Sequence, residues 1–173
     1  MFPFAGRAGA CSQCGPGKHR RAAGGHGRPP VILPGVNVLI YAFRRDTPEH
    51  SRYRDWLDSV VNGEAPYGMS PRVLASVIRI ATHPRVFANP GNLREAFAFS
   101  NALMGQPHCR LVQPGPAHWR IFREICRRSH AAGNLVQDAW FAALAIESGC
   151  EWVTADRDFA RFEGLKWRTI ETG

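Results

Sequence analysis

Three aspartates stand where a solvated charge is not the obvious use of an acid. Asp138 lies among Val136, Ala139, Trp140, Phe141, Ala142, Ala143 and Leu144, and burying a lone carboxylate in such company is costly. Asp156 and Asp158 follow an apolar segment, in Thr154-Ala155-Asp156-Arg157-Asp158-Phe159. Each has an ordinary use: Asp138 as a first-turn acid favoured by the helix dipole, Asp156 and Asp158 as a strand-end turn and a helix cap. Jointly they have another. Two acids at one strand end and one at a neighbouring helix start can converge on a hard cation, and Mg2+ or Mn2+ takes carboxylate oxygens while keeping several waters. Carboxylates and phosphate oxygens around such an ion suit in-line hydrolysis of a phosphodiester. Other acids, such as Asp55 and Asp58, fall where a solvated helix face is expected.

A second cluster sits near the start of the chain. Cys11-x2-Cys14-x4-His19 matches three ligands of a zinc knuckle. Zinc wants four ligands, the fourth position is Gly24, and His26 would serve only with a longer spacing. Residues 1–30 hold seven glycines, four prolines and five basic residues with no acid. They have no hydrophobic period, so a disordered basic extension is expected. A misplaced start would also yield such a segment, with Val31 the true beginning.

The elements that must position the acids can be read from the rest of the chain, 31–173, which is about one domain in length. Val31 to Gly35 is a short apolar run ended by Pro34-Gly35, the pattern of a buried central strand of a parallel sheet. A second apolar run, Val36 to Phe43, follows. Thr47 as cap with Pro48 at the first helical position opens a helix carrying Tyr53, Trp56, Leu57, Val60 and Val61, which ends near Asn62-Gly63. Tyr67 to Met69 is a strand. Ser70-Pro71 opens a helix that ends at Thr82-His83-Pro84. A third period runs from Asn92 to Met104, and 110–112 is a strand. Trp119 to Cys126 marks a helix with a basic outer side: Arg120, Arg123, Arg127 and Arg128. Residues 136–148 form an alanine-rich helix stopped by Gly149. Strands at 151–155 and 166–170 complete the pattern. Strands alternating with helices argue for an α/β fold with a parallel sheet, whose ligands bind at the carboxyl ends of the strands.

The net charge of +8 is uneven, with most of it in the first thirty residues. Attraction to a polyanion such as nucleic acid is one use of it, and Arg44, Arg45, Arg79, Arg127 and Arg128 are candidates to line a phosphate path. No run of about 18 apolar residues exists and no apolar stretch begins the chain, so neither a membrane span nor a signal peptide is expected. Five cysteines, an odd number, fit reduced thiols and a cytoplasmic protein.

Four separated segments together resemble a known family. They are Leu33-Pro34-Gly35-Val36-Asn37-Val38-Leu39-Ile40-Tyr41-Ala42, Leu74-Ala75-Ser76-Val77-Ile78-Arg79-Ile80-Ala81-Thr82, Leu135-Val136-Gln137-Asp138-Ala139 and Val153-Thr154-Ala155-Asp156-Arg157-Asp158-Phe159. The chain resembles the PIN domain, and more narrowly the VapC-type toxins of type II toxin–antitoxin systems, over about residues 31–170. The resemblance implies a three-layer α/β/α fold around a parallel sheet of about four to five strands. It implies Mg2+- or Mn2+-dependent cleavage of RNA, a homodimer, and a small antitoxin as partner. It gives Asp138, Asp156 and Asp158 catalytic and metal-holding roles, Asn37 and Thr154 the bracing of those carboxylates, and Arg79 contact with RNA or antitoxin. The chain departs from the family at two positions. The family has an aspartate where this chain has Gly35, so Gly35 is the position of a lost metal ligand. The family's glutamate on the helix after the second strand falls at or next to Ser76.

Three readings follow. One is a metal-dependent endoribonuclease toxin. Another is a catalytically weakened PIN domain that binds antitoxin or RNA without efficient cleavage. A third, an α/β phosphotransfer or phosphatase domain, needs an aspartate nucleophile at the end of the first strand, and Gly35 removes it. No Gly-x-x-x-x-Gly-Lys-Ser/Thr loop, Gly-x-Ser-x-Gly elbow or His-Glu-x-x-His is present, which leaves ATPase, serine hydrolase and zincin readings without support.

Overall fold

A computed structural model describes residues 30–170. The extension that carries Cys11, Cys14, His19 and His26 lies outside the described residues.

Five short strands form one parallel sheet: β1 (Ile32–Pro34), β2 (Tyr67–Met69), β3 (Cys109–Leu111), β4 (Glu151–Val153) and β5 (Trp167–Arg168). Their order is β3-β2-β1-β4-β5, so β1 is central. Six helices connect them: α1 (Val36–Phe43), α2 (His50–Val61), α3 (Pro71–Ala81), α4 (Leu93–Met104), α5 (His118–Arg128) and α6 (Asn134–Ser148). The chain steps outward from β1 to β2 and β3, then crosses back to β4 on the other side of β1. Right-handed crossovers in opposite directions put their helices on opposite faces of the sheet. This is the layered α/β architecture expected, with the strand order reversing between β1 and β4.

The core explains the strand choice. Leu33, Tyr67, Met69, Trp152 and Val153 are buried in the sheet, and Val38, Leu39, Phe99, Leu103, Ala139 and Ala142 to Ala145 close over it. Strands buried on both faces read as continuous apolar runs rather than alternating ones. The alanines let α6 lie close to its neighbours, as expected for a helix with few polar positions.

Several boundaries differ from the sequence reading. The second apolar run is α1, which starts directly after Gly35. Thr47 does not cap a helix: its hydroxyl donates to the Arg44 carbonyl, and α2 begins only at His50. Asn92 does cap α4, its side chain accepting from the Arg94 N–H at 2.8 Å. The α6 helix begins at Asn134, two residues before 136. Asp138 therefore lies in its second turn, where a first-turn dipole effect does not account for it.

Candidate active site at the carboxyl ends of β1 and β4

The register Leu33 to Trp152 and Pro34 to Val153 brings the ends of β1 and β4 level. The Gly35 N–H donates to the Val153 carbonyl at 2.7 Å, extending the pairing by one residue. This is the switch point of the sheet, where a crevice opens because neighbouring connections leave in opposite directions. A cleft of about 600 Å³ lies there. Asn37, Tyr41, Arg79, Gln137, Asp138 and Asp156 are among the residues that line it. A larger groove, about 830 Å³, runs between the end of α1 and α4, but none of Asp138, Asp156 and Asp158 lines it. Size alone therefore does not locate the chemistry.

A hydrogen-bond network holds the strand end. The Asn37 side-chain amide donates to the Thr154 hydroxyl at 3.0 Å, and its oxygen accepts from the Ala155 N–H at 3.2 Å. The Thr154 hydroxyl oxygen accepts from the Asp156 N–H at 3.1 Å. The Asp156 carboxylate accepts from the Asp158 N–H at 2.8 Å, capping the short 3-10 helix Arg157–Arg161. Thr154 is buried, so its own bonds are partly shielded from water, where such bonds are stronger. Asn37 ties α1 to the segment after β4 and orients Asp156 through Thr154.

Asp138 reaches the cleft from the other wall. It is half-buried, and burial, then the charges of Asp156 and Asp158, push its carboxyl up to about 6. The first cause is desolvation and the others are like-charge repulsion. Beside it, the Gln137 side chain donates to the Ser76 hydroxyl at 3.2 Å, and that hydroxyl donates to the Arg72 carbonyl. Ser76 is thus a buried link between α3 and α6. Arg79, in the last turn of α3, is exposed and is the one basic side chain lining the cleft among the described residues.

The three acids do not meet as a closed cage. Asp138 and Asp156 line the cleft, whereas Asp158 is exposed at its rim and lies 3.4 Å from the Arg161 guanidinium. The helical turn after Asp156 places the Asp158 side chain outward, and it acts on Asp138 through its charge. Among the described residues, no group of three His, Cys, Asp or Glu side chains stands ready around one metal position. Two carboxylates that repel each other across an open cleft still fit a divalent cation, because Mg2+ commonly takes one or two carboxylates and fills its shell with water and phosphate.

Gly35 lies at the end of β1, beside Trp152 and Val153 of β4. Its backbone, φ −77° and ψ 168°, is one that any residue adopts. A Cβ there would stand 2.9 Å from Cζ2 of Trp152 and 3.0 Å from the Val153 carbonyl oxygen. The buried Trp152 indole N–H, on the same edge of the ring, has no hydrogen-bond partner among the described residues.

Of the other candidate residues, Arg44 is not free to meet phosphate. It is buried, donates to both Asp46 carboxylate oxygens and to the Asn89 carbonyl, and lies 4.0 Å over the Phe87 ring. Arg127 and Arg128 both pair with Glu124. Tyr41 had no role in the sequence reading and lines the cleft. Burial, then the charges of Glu49, Tyr53 and Asp156, raise its phenol above the ordinary value. Its spacing of four from Asn37 on α1 was the available signal.

A parallel α/β domain with paired carboxylates at the switch point is the architecture of the PIN domain, and the PIN domain model matches residues 34–165. The chain belongs to this family, and within it to the VapC group. Ribonuclease VapC43 of Mycobacterium tuberculosis is 42% identical over 138 residues, covering 80% of this chain and 94% of that protein. Ribonuclease VapC31 of the same organism is 40% identical over 136 residues, covering 79% and 96%. Among solved structures, VapBC2 of Rickettsia felis bound to a promoter DNA fragment matches with a TM-score of 0.58 at 15% identity, covering 82% of this chain and 99% of that one. VapC20 of Mycobacterium tuberculosis, described as a Sarcin-Ricin loop cleaving toxin, matches with a TM-score of 0.53 at 14% identity, covering 78% and 98%. At those identities the structural likeness speaks for the fold.

Proposed function

We propose that this chain is a divalent-cation-dependent endoribonuclease, the toxin of a toxin–antitoxin pair, acting as a homodimer and held in check by a small antitoxin. The observation that carries this reading is that Asp138 and Asp156 line one open cleft at the carboxyl ends of β1 and β4. Asp138 and Asp156 would hold the ion, Mg2+ or Mn2+. Asp158 adds negative charge from the rim. Asn37 and Thr154 keep Asp156 in place, and Arg79 meets a phosphate of the RNA. When bound, the ion lowers the pKa of a water and offsets charge on the phosphate. The relatives named ribonucleases and the complexes named VapBC support the substrate class and the partner.

A specific observation favours a second reading. Gly35 supplies no carboxylate, and the Trp152 indole beside it has no hydrogen-bond partner among the described residues. In this reading the chain binds RNA or antitoxin with little cleavage. The deciding experiment measures cleavage of total RNA with Mg2+ or Mn2+ by the purified chain, Asp138→Ala and Asp156→Ala. Metal-dependent cleavage lost in both variants supports the nuclease. A folded chain that binds antitoxin and cuts nothing at millimolar Mn2+ establishes the weakened form instead.

A further inference from the structure

Outside the cleft, among the described residues, α5 carries a cluster of basic side chains. This helix holds four arginines against one glutamate. Glu124 pairs with Arg127 and Arg128, and Arg128 also pairs with Glu163. Arg120 and Arg123 have no ion-pair partner among the described residues, and both are exposed. Trp119 stands beside them with 65% of its surface exposed, its ring 5.5 Å from Phe122. A helix that buries His118, Ile121, Phe122 and Ile125 along one side must turn Trp119, Arg120, Arg123 and Arg127 outward together. Trp119 and the unpaired Arg120 and Arg123 thus share one exposed face.

Asp158 at the cleft rim meets Arg161, and Arg161 lines a shallow groove with Arg120 and Arg128 of α5. We propose that the outer face of α5 is a secondary binding track for single-stranded RNA, with Arg120 and Arg123 on successive phosphates and Trp119 as a stacking surface for one base. The inference rests on the reading of the chain as an RNA-acting protein. Charge complementarity selects the occupant: unpaired guanidiniums suit phosphates, and an aromatic face suits any base without demanding a sequence. Held there, RNA would be anchored away from the scissile bond, adding affinity without touching the reacting atoms.

The test does not need cleavage. Binding of a fluorescein-labelled, mixed-sequence 20-nucleotide RNA is followed by anisotropy in EDTA, from 50 to 300 mM KCl, with the full chain. For single strands the salt slope is about −0.7 per phosphate contact, worth about fivefold in affinity per contact at 0.1 M salt. Arg120→Ala/Arg123→Ala is expected to weaken binding about 25-fold and to flatten the slope by about 1.4. Trp119→Ala is expected to weaken binding about fivefold or more with the slope unchanged. Arg94→Ala, on the exposed face of α4, is the control and is expected to bind like the parent. Unaltered binding by the α5 variants, with the parent binding RNA, overturns the track and leaves the nuclease reading standing. Equal loss in Arg94→Ala shows that only total charge matters and also overturns it. Trp119→Ala that dissociates a dimer while RNA affinity is unchanged assigns the face to protein contact. A parent chain that binds no RNA overturns both the track and the RNA reading.

Discussion

Replacing Gly35 with aspartate would restore a carboxylate where two others already repel, and the structure sets the terms of the outcome. The backbone there imposes no strain on a side chain. The obstacle is Trp152, whose ring edge would be 2.9 Å from the new Cβ. Trp152 is buried and packed against Phe141 at 5.6 Å and Phe159 at 5.3 Å, so its shift disturbs an aromatic row. Overpacking of this kind costs about 1–3 kcal/mol, or about 3 °C of melting temperature per kcal/mol for a chain of this size. The third negative charge also pushes Asp138 further up in the metal-free protein. Against this, a charge-assisted contact contributes about 1.5–3 kcal/mol, so Mn2+ should bind about ten- to a hundredfold more tightly. The metal-free Gly35→Asp protein should therefore melt lower than the parent, and saturating Mn2+ should close or reverse the gap. Calorimetric titration with Mn2+, melting curves with and without it, and RNA cleavage give the three readouts. A folded variant with the parent's Mn2+ affinity and the parent's cleavage rate would refute the assignment of Gly35 as a lost ligand.

Other perturbations separate charge from scaffold. Asp138 titrates at about 6 in the fold and near 3.9 unfolded, so the native state holds its proton more firmly; its contribution to metal-free stability is full below about pH 4 and is lost as pH rises through 6. Asp138→Asn should therefore be more stable than the parent at pH 7.5, by about 3 kcal/mol at most, with the gap vanishing near pH 3.5 in denaturant titrations. Asp156→Asn should keep the cap on Asp158 and melt close to the parent, while Asp156→Ala should lose about 1 kcal/mol; both should lose Mn2+ binding in calorimetry. Asn37→Ala removes the donor to Thr154 and the acceptor for Ala155, and should lower Mn2+ affinity several-fold although residue 37 keeps no carboxylate. Arg44→Met should speed proteolysis within 83–91, because the buried guanidinium ties Asn89 and Phe87 to the end of α1.

The parts of the fold legible in the sequence were those where burial and turn chemistry agreed. Leu33 followed by Pro34-Gly35 marked a central strand, and Trp152-Val153 followed by Thr154 and Asp156 marked its neighbour; both stand at the switch point. What escaped has physical reasons. Val36–Phe43 is apolar on nearly every side, and such a run cannot be told from a strand by periodicity. Thr47-Pro48 has the chemistry of a helix start, but the Thr47 hydroxyl is taken by the Arg44 carbonyl. Asp158 shares the spacing of a metal ligand with Asp156, yet one turn of 3-10 helix faces it to Arg161. The burial of Arg44 depends on Asn89 and Phe87, which are more than forty residues away in the chain, so spacing alone could not remove it from the candidate phosphate path.

Position 35 can be empty without undoing the site because the site is not built on it. Asn37, Thr154, Asp156 and Asp158 are joined by hydrogen bonds that bypass Gly35. The single backbone bond from Gly35 to Val153 is one that any residue but proline would make. The hydrogen-bond network around Asp156 therefore does not require a side chain at position 35. Surfaces that meet a partner protein or RNA depend on the folded framework, whereas tight capture of a cation depends on the number of carboxylates facing the cleft.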